Sequence, residues 1–80
     1  MLDARHDLHS QFPRDGEILS KLKVESGHFR TIAERYDALD KDIRRIELEA
    51  EAASDERLEE LKKHRLELLD EVAALIAAAR

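Results

Sequence analysis

Residues 28–50 read HFRTIAERYDALDKDIRRIELEA. The apolar side chains in this stretch fall at Phe29, Ile32, Tyr36, Leu39, Ile43, Ile46 and Ala50, in steps that alternate between three and four. That spacing lines one side of an α-helix and is the a/d pattern of a coiled coil. A lone helix of this kind cannot keep its apolar stripe out of water. The stretch therefore calls for a second element to cover it.

A second heptad helix lies further along the chain, with Leu58, Leu61, Arg65, Leu68, Val72, Leu75 and Ala79 on one face. The break between the two helices, Ala52-Ala53-Ser54-Asp55-Glu56, is short, and short helix connections give antiparallel neighbours. Ser54 is a good N-cap, and Asp55 and Glu56 place negative charge where the helix dipole favours it. Folding the chain at this break sets Leu39 beside Leu68 and Ile46 beside Leu61. Flanking charges agree with that register: Glu49 meets Arg57, Asp42 meets His64, Arg35 meets Glu71 and Glu47 meets Lys62. Exposed ion pairs are individually weak, about 0–1 kcal/mol, so their value here lies in specifying the pairing. Arg65 falls on the seam itself. Either its stem packs there while its head reaches water, or it fixes register at some cost in stability.

The same register sets Asp40 against Leu69 and Ala33 against Ile76. With Leu66 and Ala73, these residues widen the apolar face of the last helix towards its C-terminal end. A short preceding helix with Ile18, Leu19 and Leu22 is the natural cover. Pro13 suits a first helical position, while Gly16 inside such a helix costs about 1 kcal/mol relative to Ala. Ser26 can cap the next helix, and Gly27 permits the change of direction. The expected fold is all-α: an antiparallel two-helix coiled-coil hairpin with a short N-terminal helix packed over its open end. Residues 1–11 read as a flexible tail and 12–80 as the hairpin domain, with a short helix over about 13–24 and long helices over about 27–51 and 55–79. The predicted hairpin core is Phe29, Ile32, Tyr36, Leu39, Ile43, Ile46, Leu58, Leu61, Leu68, Val72 and Leu75. From Val72 onward the last helix is apolar on nearly every side, which normally means burial on every side. Leu69, Ile76, Ile18 and Leu22 are thus candidates for self-association, a dimer being the first expectation and a helical protein partner the other.

Composition narrows the function classes. Eighty residues, 41% of them charged and with three aromatics, suit long solvated helices rather than a large core. Without cysteine there is no disulfide and no thiolate metal site. A net charge of −5 disfavours general binding to nucleic-acid backbones. The N-terminus lacks the apolar run of a signal peptide, and Val72–Ala79 is too short to span a bilayer, which takes about 20 residues. A cytoplasmic protein with no membrane contact is expected.

Candidate chemistry is sparse. His6 and His9, near Asp3 and Asp7, have the residue types of a metal site but not the three or four rigid convergent ligands such sites need. Glu25 and His28 share the spacing used in di-iron bundles, which require two such motifs and further carboxylates. His64 can form a pH-sensitive pair with Asp42. No nucleophile constellation and no glycine-rich phosphate loop is present, so no catalytic, cofactor-binding or metal residues are assigned, no cofactor is expected, and the chain reads as non-enzymatic. Lys41, Arg44, Arg45, Lys62, Lys63 and Arg65 form a possible basic patch near mid-hairpin, diluted by Glu47, Glu59 and Glu60.

The sequence resembles the YdcH-like small bacterial proteins, a family whose domain has no assigned function. The likeness runs from about Asp7 to Ile76. It rests on Phe12-Pro13, Leu22-Lys23, His28-Phe29, YDALDKDIRRIE from Tyr36 to Glu47 and LKKHRLELLDEV from Leu61 to Val72. Two departures are Leu69, where the family block has Lys, and Ser26-Gly27, where a capping residue followed by Pro is common. The resemblance implies a bacterial cytosolic protein with no catalytic residues to transfer. The functional expectation is a helical-hairpin module that self-associates or docks on a protein. The alternative is a weak RNA-binding or ribosome-associated factor using the basic patch.

Overall fold

A computed structural model describes residues 7–48 and 55–80. Four helices follow in order: α1 Leu8–Gln11, α2 Gly16–Glu25, α3 Gly27–Glu47 and α4 Asp55–Ala79. The architecture is all-α, with α3 and α4 packed along their lengths and α2 against both. The long axis of the molecule is 41 Å, close to the length of a 25-residue helix at about 1.5 Å per residue.

Periodicity accounts for the main contact. Phe29, Ile32, Tyr36 and Ile43 from α3 are buried, as are Leu61, Leu68 and Val72 from α4. Leu39, Ile46, Leu58 and Leu75 are half-buried along the same seam. Each fully buried Leu or Ile contributes about 1.5–3 kcal/mol relative to exposure. One of the expected flanking pairs forms, Lys62 Nζ lying 3.3 Å from Glu47 Oε2, while Asp42 pairs with Arg45 on its own helix. Leu39 packs on the core cluster that contains Leu68. Asp42 and His64, and Arg35 and Glu71, border a common groove beside Leu39 and Leu68. Glu49, the expected partner of Arg57, lies outside the described residues, as does the expected cap Ser54. The expected extension of α3 over 49–51 lies there too.

Between α2 and α3 the chain turns within one residue. The Ser26 N–H donates to the Leu22 carbonyl at 2.8 Å, closing α2. The Ser26 Oγ accepts from the Phe29 N–H at 3.0 Å, opening α3 as the sequence predicts. Arg30 completes the junction by donating to the carbonyls of Lys23 at 2.8 Å and Val24 at 3.2 Å. Those are carbonyls that a helix C-terminus leaves without intrahelical partners.

Two N-terminal expectations are corrected. Residues 7–11 do not form a tail: Asp7 caps α1 by accepting the Ser10 N–H at 2.8 Å, and Leu8, 9% exposed, joins the core. The remainder of the expected tail, 1–6, lies outside the described residues. Pro13 does not open α2 either. Phe12 turns inward against the core, Pro13 and Arg14 form a turn, and the Asp15 N–H donates to the Phe12 carbonyl at 3.0 Å. The helix starts at Gly16, so the penalty for glycine in a helix interior does not arise. Asp15 spends its carboxylate on Arg80 at 2.8 Å instead of capping α2, tying the end of the chain to the start of that helix.

Leu19, 2% exposed, is the main plug of the open end. Ile76, also 2% exposed, is covered by the chain itself, and Leu69, Ile18 and Leu22 pack on the same cluster half-buried. The residues expected at a self-association surface are thus largely spent on the intramolecular core. Ala73, Ala74, Ala77 and Ala78 stay exposed, so the last turns of α4 are not buried all round.

The packing of α1 is testable. Leu8→Ala should lower the free energy of unfolding by about 2 kcal/mol, the lower end for Leu-to-Ala changes because the residue lies at the margin of the core. Urea unfolding followed by circular dichroism reads this directly. An unchanged midpoint would show that α1 contributes no packing.

Candidate functional site

The most distinctive chemistry in the fold sits inside it. Arg65 Nη1 donates to Asp40 Oδ1 at 2.9 Å, the two side chains being 19% and 11% exposed. Asp40 follows the fully buried Tyr36 by one helical turn, and Arg65 approaches from α4. Asp40 therefore pairs with Arg65, a partner its flanking position had not suggested. Asp7, at the start of α1, borders the same small cleft as Asp37, Asp40, Lys41 and Arg44. Of the two roles open to Arg65, the pairing across the seam is the register-fixing one. No buried side-chain nitrogen or oxygen among the described residues lacks a hydrogen-bond partner.

Burial pushes the Tyr36 phenol up to about 12, helped by the negative charge of Asp40 and, less strongly, of Asp7 and Asp37; Arg65 opposes the shift. The neutral phenol is thus favoured in the folded state.

The other candidates do not converge. Lys62 pairs with Glu47, Arg45 with Asp42 at 3.1 Å, and Arg65 with Asp40. Three of the six cations of the expected basic patch are therefore committed to carboxylates. Lys41 is exposed and Arg44 half-buried on α3, whereas Lys63 lies on the outer face of α4 among Asp55, Glu56, Glu59 and Glu60. Glu25 and His28 are both exposed, on either side of the α2–α3 junction. Among the described residues no group of three or more His, Asp or Glu side chains is placed to hold a metal. His6 lies outside them.

Two apolar surfaces were not legible as sites. Leu66 is 59% exposed on the outer face of α4. A crevice of about 310 Å³ opens where α1, α2 and α3 meet, lined by Leu8, Leu19, Phe29 and Ala33 with charged residues at its rim. Its existence depends on α1, which the sequence pattern does not signal.

A hairpin sealed by its own N-terminal helices, with its internal charges paired, defines a small all-α helical-hairpin protein. The chain belongs to the family described as "Protein of unknown function (DUF465)", whose model matches residues 29–76, most of α3 and α4. The YdcH-like resemblance falls within that family. Searches of curated proteins and of solved structures gave no match. No helix among the described residues is long and apolar enough to cross a membrane.

Two measurements probe the buried cluster. Asp40→Ala should cost about 2–3 kcal/mol, somewhat below the figure for a fully buried pair because Arg65 keeps partial access to water. Adding Arg65→Met should recover most of the loss; no recovery would mean that Asp40 acts through something other than this pair. Tyr36 is the one tyrosine of the chain, so phenolate absorbance reports on it alone. Its phenol titrates near 10 when unfolded and about 12 when folded, so the unfolded state loses its proton first. The contribution is fully present below pH 10 and lost as the pH rises towards 12. Stability should fall across that window, with phenolate absorbance lagging behind that of a free tyrosine. An absorbance midpoint at 10 with helicity intact would contradict the burial.

Proposed function

We propose that this chain is a non-enzymatic helical-hairpin interaction module of the bacterial cytoplasm, pairing with a second copy of itself or docking on a helical protein partner. The observation that carries the reading is Leu66. It stands 59% exposed on the outer face of α4, which α3 does not cover. Ala73 and Ala77 continue the same face, both exposed. Lys62, Lys63 and the carboxylates from Asp55 to Glu60 flank Leu66 with charge on its N-terminal side, an arrangement that suits an apolar contact beside a polar rim. The pairing of Asp40 with Arg65 supports the non-enzymatic reading, since each satisfies the other's charge.

The alternative, weak RNA binding, rests on the mid-hairpin cations. Their commitment to Asp40, Asp42 and Glu47 weighs against it, and little salt-dependent retention on single-stranded RNA is expected.

Light scattering at high micromolar concentration tests the self-pairing form. The unmodified chain should be dimeric and Leu66→Glu monomeric, with unchanged helicity because the side chain lies outside the core. A monomer before substitution would rule out self-pairing, and a dimer unaffected by Leu66→Glu would place the contact elsewhere.

A further inference from the structure

The outer side of α4 carries a second stripe. Glu56, Glu59, Lys63, Leu66, Asp70, Ala73 and Ala77 recur in steps of three and four, and every one of them is exposed. That spacing sets the side chains along one line of the helix. The line runs opposite Leu61, Leu68 and Val72, the buried residues that α3 packs against. Its composition changes along its length: acidic at the start, Leu66 in the middle, alanine towards the end. Lys63 and Asp70 stand almost symmetrically about Leu66, and neither belongs to an ion pair among the described residues.

A second α4 can lie along this stripe in two directions. Running parallel, each residue meets its own copy, so Lys63 opposes lysine while Glu56, Glu59 and Asp70 oppose carboxylates. Like charges so placed disfavour the pairing. Running antiparallel about a two-fold axis at Leu66, positions equally far on either side of that residue meet. Lys63 then faces the partner's Asp70, and Asp70 the partner's Lys63. Glu59 falls against the partner's Ala73 and Glu56 against the partner's Ala77, so no carboxylate opposes a carboxylate.

Resting on the self-pairing form of the interaction-module reading, we propose that a second copy of the chain occupies this face, its α4 antiparallel across a two-fold axis at Leu66 and held in register by reciprocal Lys63–Asp70 ion pairs. Leu66 meets the partner's Leu66 on the axis, and both leave water. The alanines leave room for the partner's glutamate stems and for close approach of the helices. The contact is isologous, so each ion pair forms twice. A foreign helix would need this same order of charge, leucine and alanine in reverse; a second copy supplies it by symmetry.

Sedimentation equilibrium of the full chain tests the arrangement. Lys63→Asp sets carboxylate against carboxylate in both contacts, and Asp70→Lys sets ammonium against ammonium. Each should weaken dimerisation about tenfold or more, since two attractions become repulsions. Lys63→Asp combined with Asp70→Lys restores opposite charges and should recover most of the loss. Mixed in equal amounts, the two single variants should pair with each other. Both positions are exposed, so circular dichroism should show unchanged helicity. A second measurement needs neither substitution. The chain has no cysteine, so Ala78→Cys carries one spin label per chain beside the contact. At about 1.5 Å per residue, labels on opposite sides of the axis lie about 36 Å or more apart in the antiparallel pair. In a parallel pair they lie within about 20 Å, since packed helix axes are about 8–10 Å apart. Should a charge substitution disturb the fold, the label distance decides. A chain that stays monomeric at high micromolar concentration overturns the proposal together with self-pairing. A dimer lost on Leu66→Glu but indifferent to both single charge changes overturns the antiparallel register alone, as does a double variant without recovery or a short label distance.

Discussion

The apolar seam of α3 is the constraint from which the rest of the molecule follows. Its stripe of Phe29, Ile32, Tyr36, Leu39 and Ile43 needs an apolar surface of about the same length running alongside it, and among the described residues α4 is the segment long enough to provide it. Two helices leave their far end open, because side chains that flank the seam there still face water. Leu19 closes that end from α2, and Leu8 and Phe12 add to the closure from the turn before it. The N-terminal elements are thus consequences of the hairpin, and they are held by contacts only a hairpin in this register offers.

Apolar contact alone would tolerate sliding, since one leucine resembles another. The polar groups remove that freedom. Asp40 and Arg65 lie where a shift of one turn would strand a charge out of water, and stranding one partner costs more than the pair contributes as a whole. Lys62 and Glu47 repeat the specification nearer the closed end, at lower stakes because both are well exposed. The buried Tyr36 sits one turn from Asp40 and couples the same layer to pH, its phenol being held neutral where free tyrosine ionises. Specificity in this fold comes from a few costly groups, and stability from many interchangeable ones.

What the sequence revealed and what it hid follow the same division. The two long helices, the Ser26 cap and the Glu47–Lys62 contact were legible because each is encoded by repetition or by residues close in the chain. The α1 turn was not: four residues hold a single apolar anchor, too little for a period, and only Asp7 followed by Ser10 hints at a cap. That omission propagated. With the N-terminus treated as a tail, Asp40 was set only against Leu69, whereas the ordered turn brings Asp7 to the cleft that Asp40 borders. Likewise Ile76 read as surplus apolar surface because the reach of α2 cannot be judged from its own pattern. Candidate sites suffered most, since exposed apolar side chains such as Leu66 are defined by what neighbouring elements fail to cover.

The face around Leu66 and the crevice between α1, α2 and α3 differ in what an occupant would do to the fold. Leu66 lies on the outside of α4, where a partner adds burial without touching the seam. The crevice is walled by Leu8, whose four-residue helix is the smallest element of the structure. A ligand bound there contacts groups that exist together only when α1 is docked. Its binding energy therefore adds to the stability of that turn. By the same linkage, weakening α1 must weaken any binding in the crevice, whereas contacts at Leu66 stay indifferent to it.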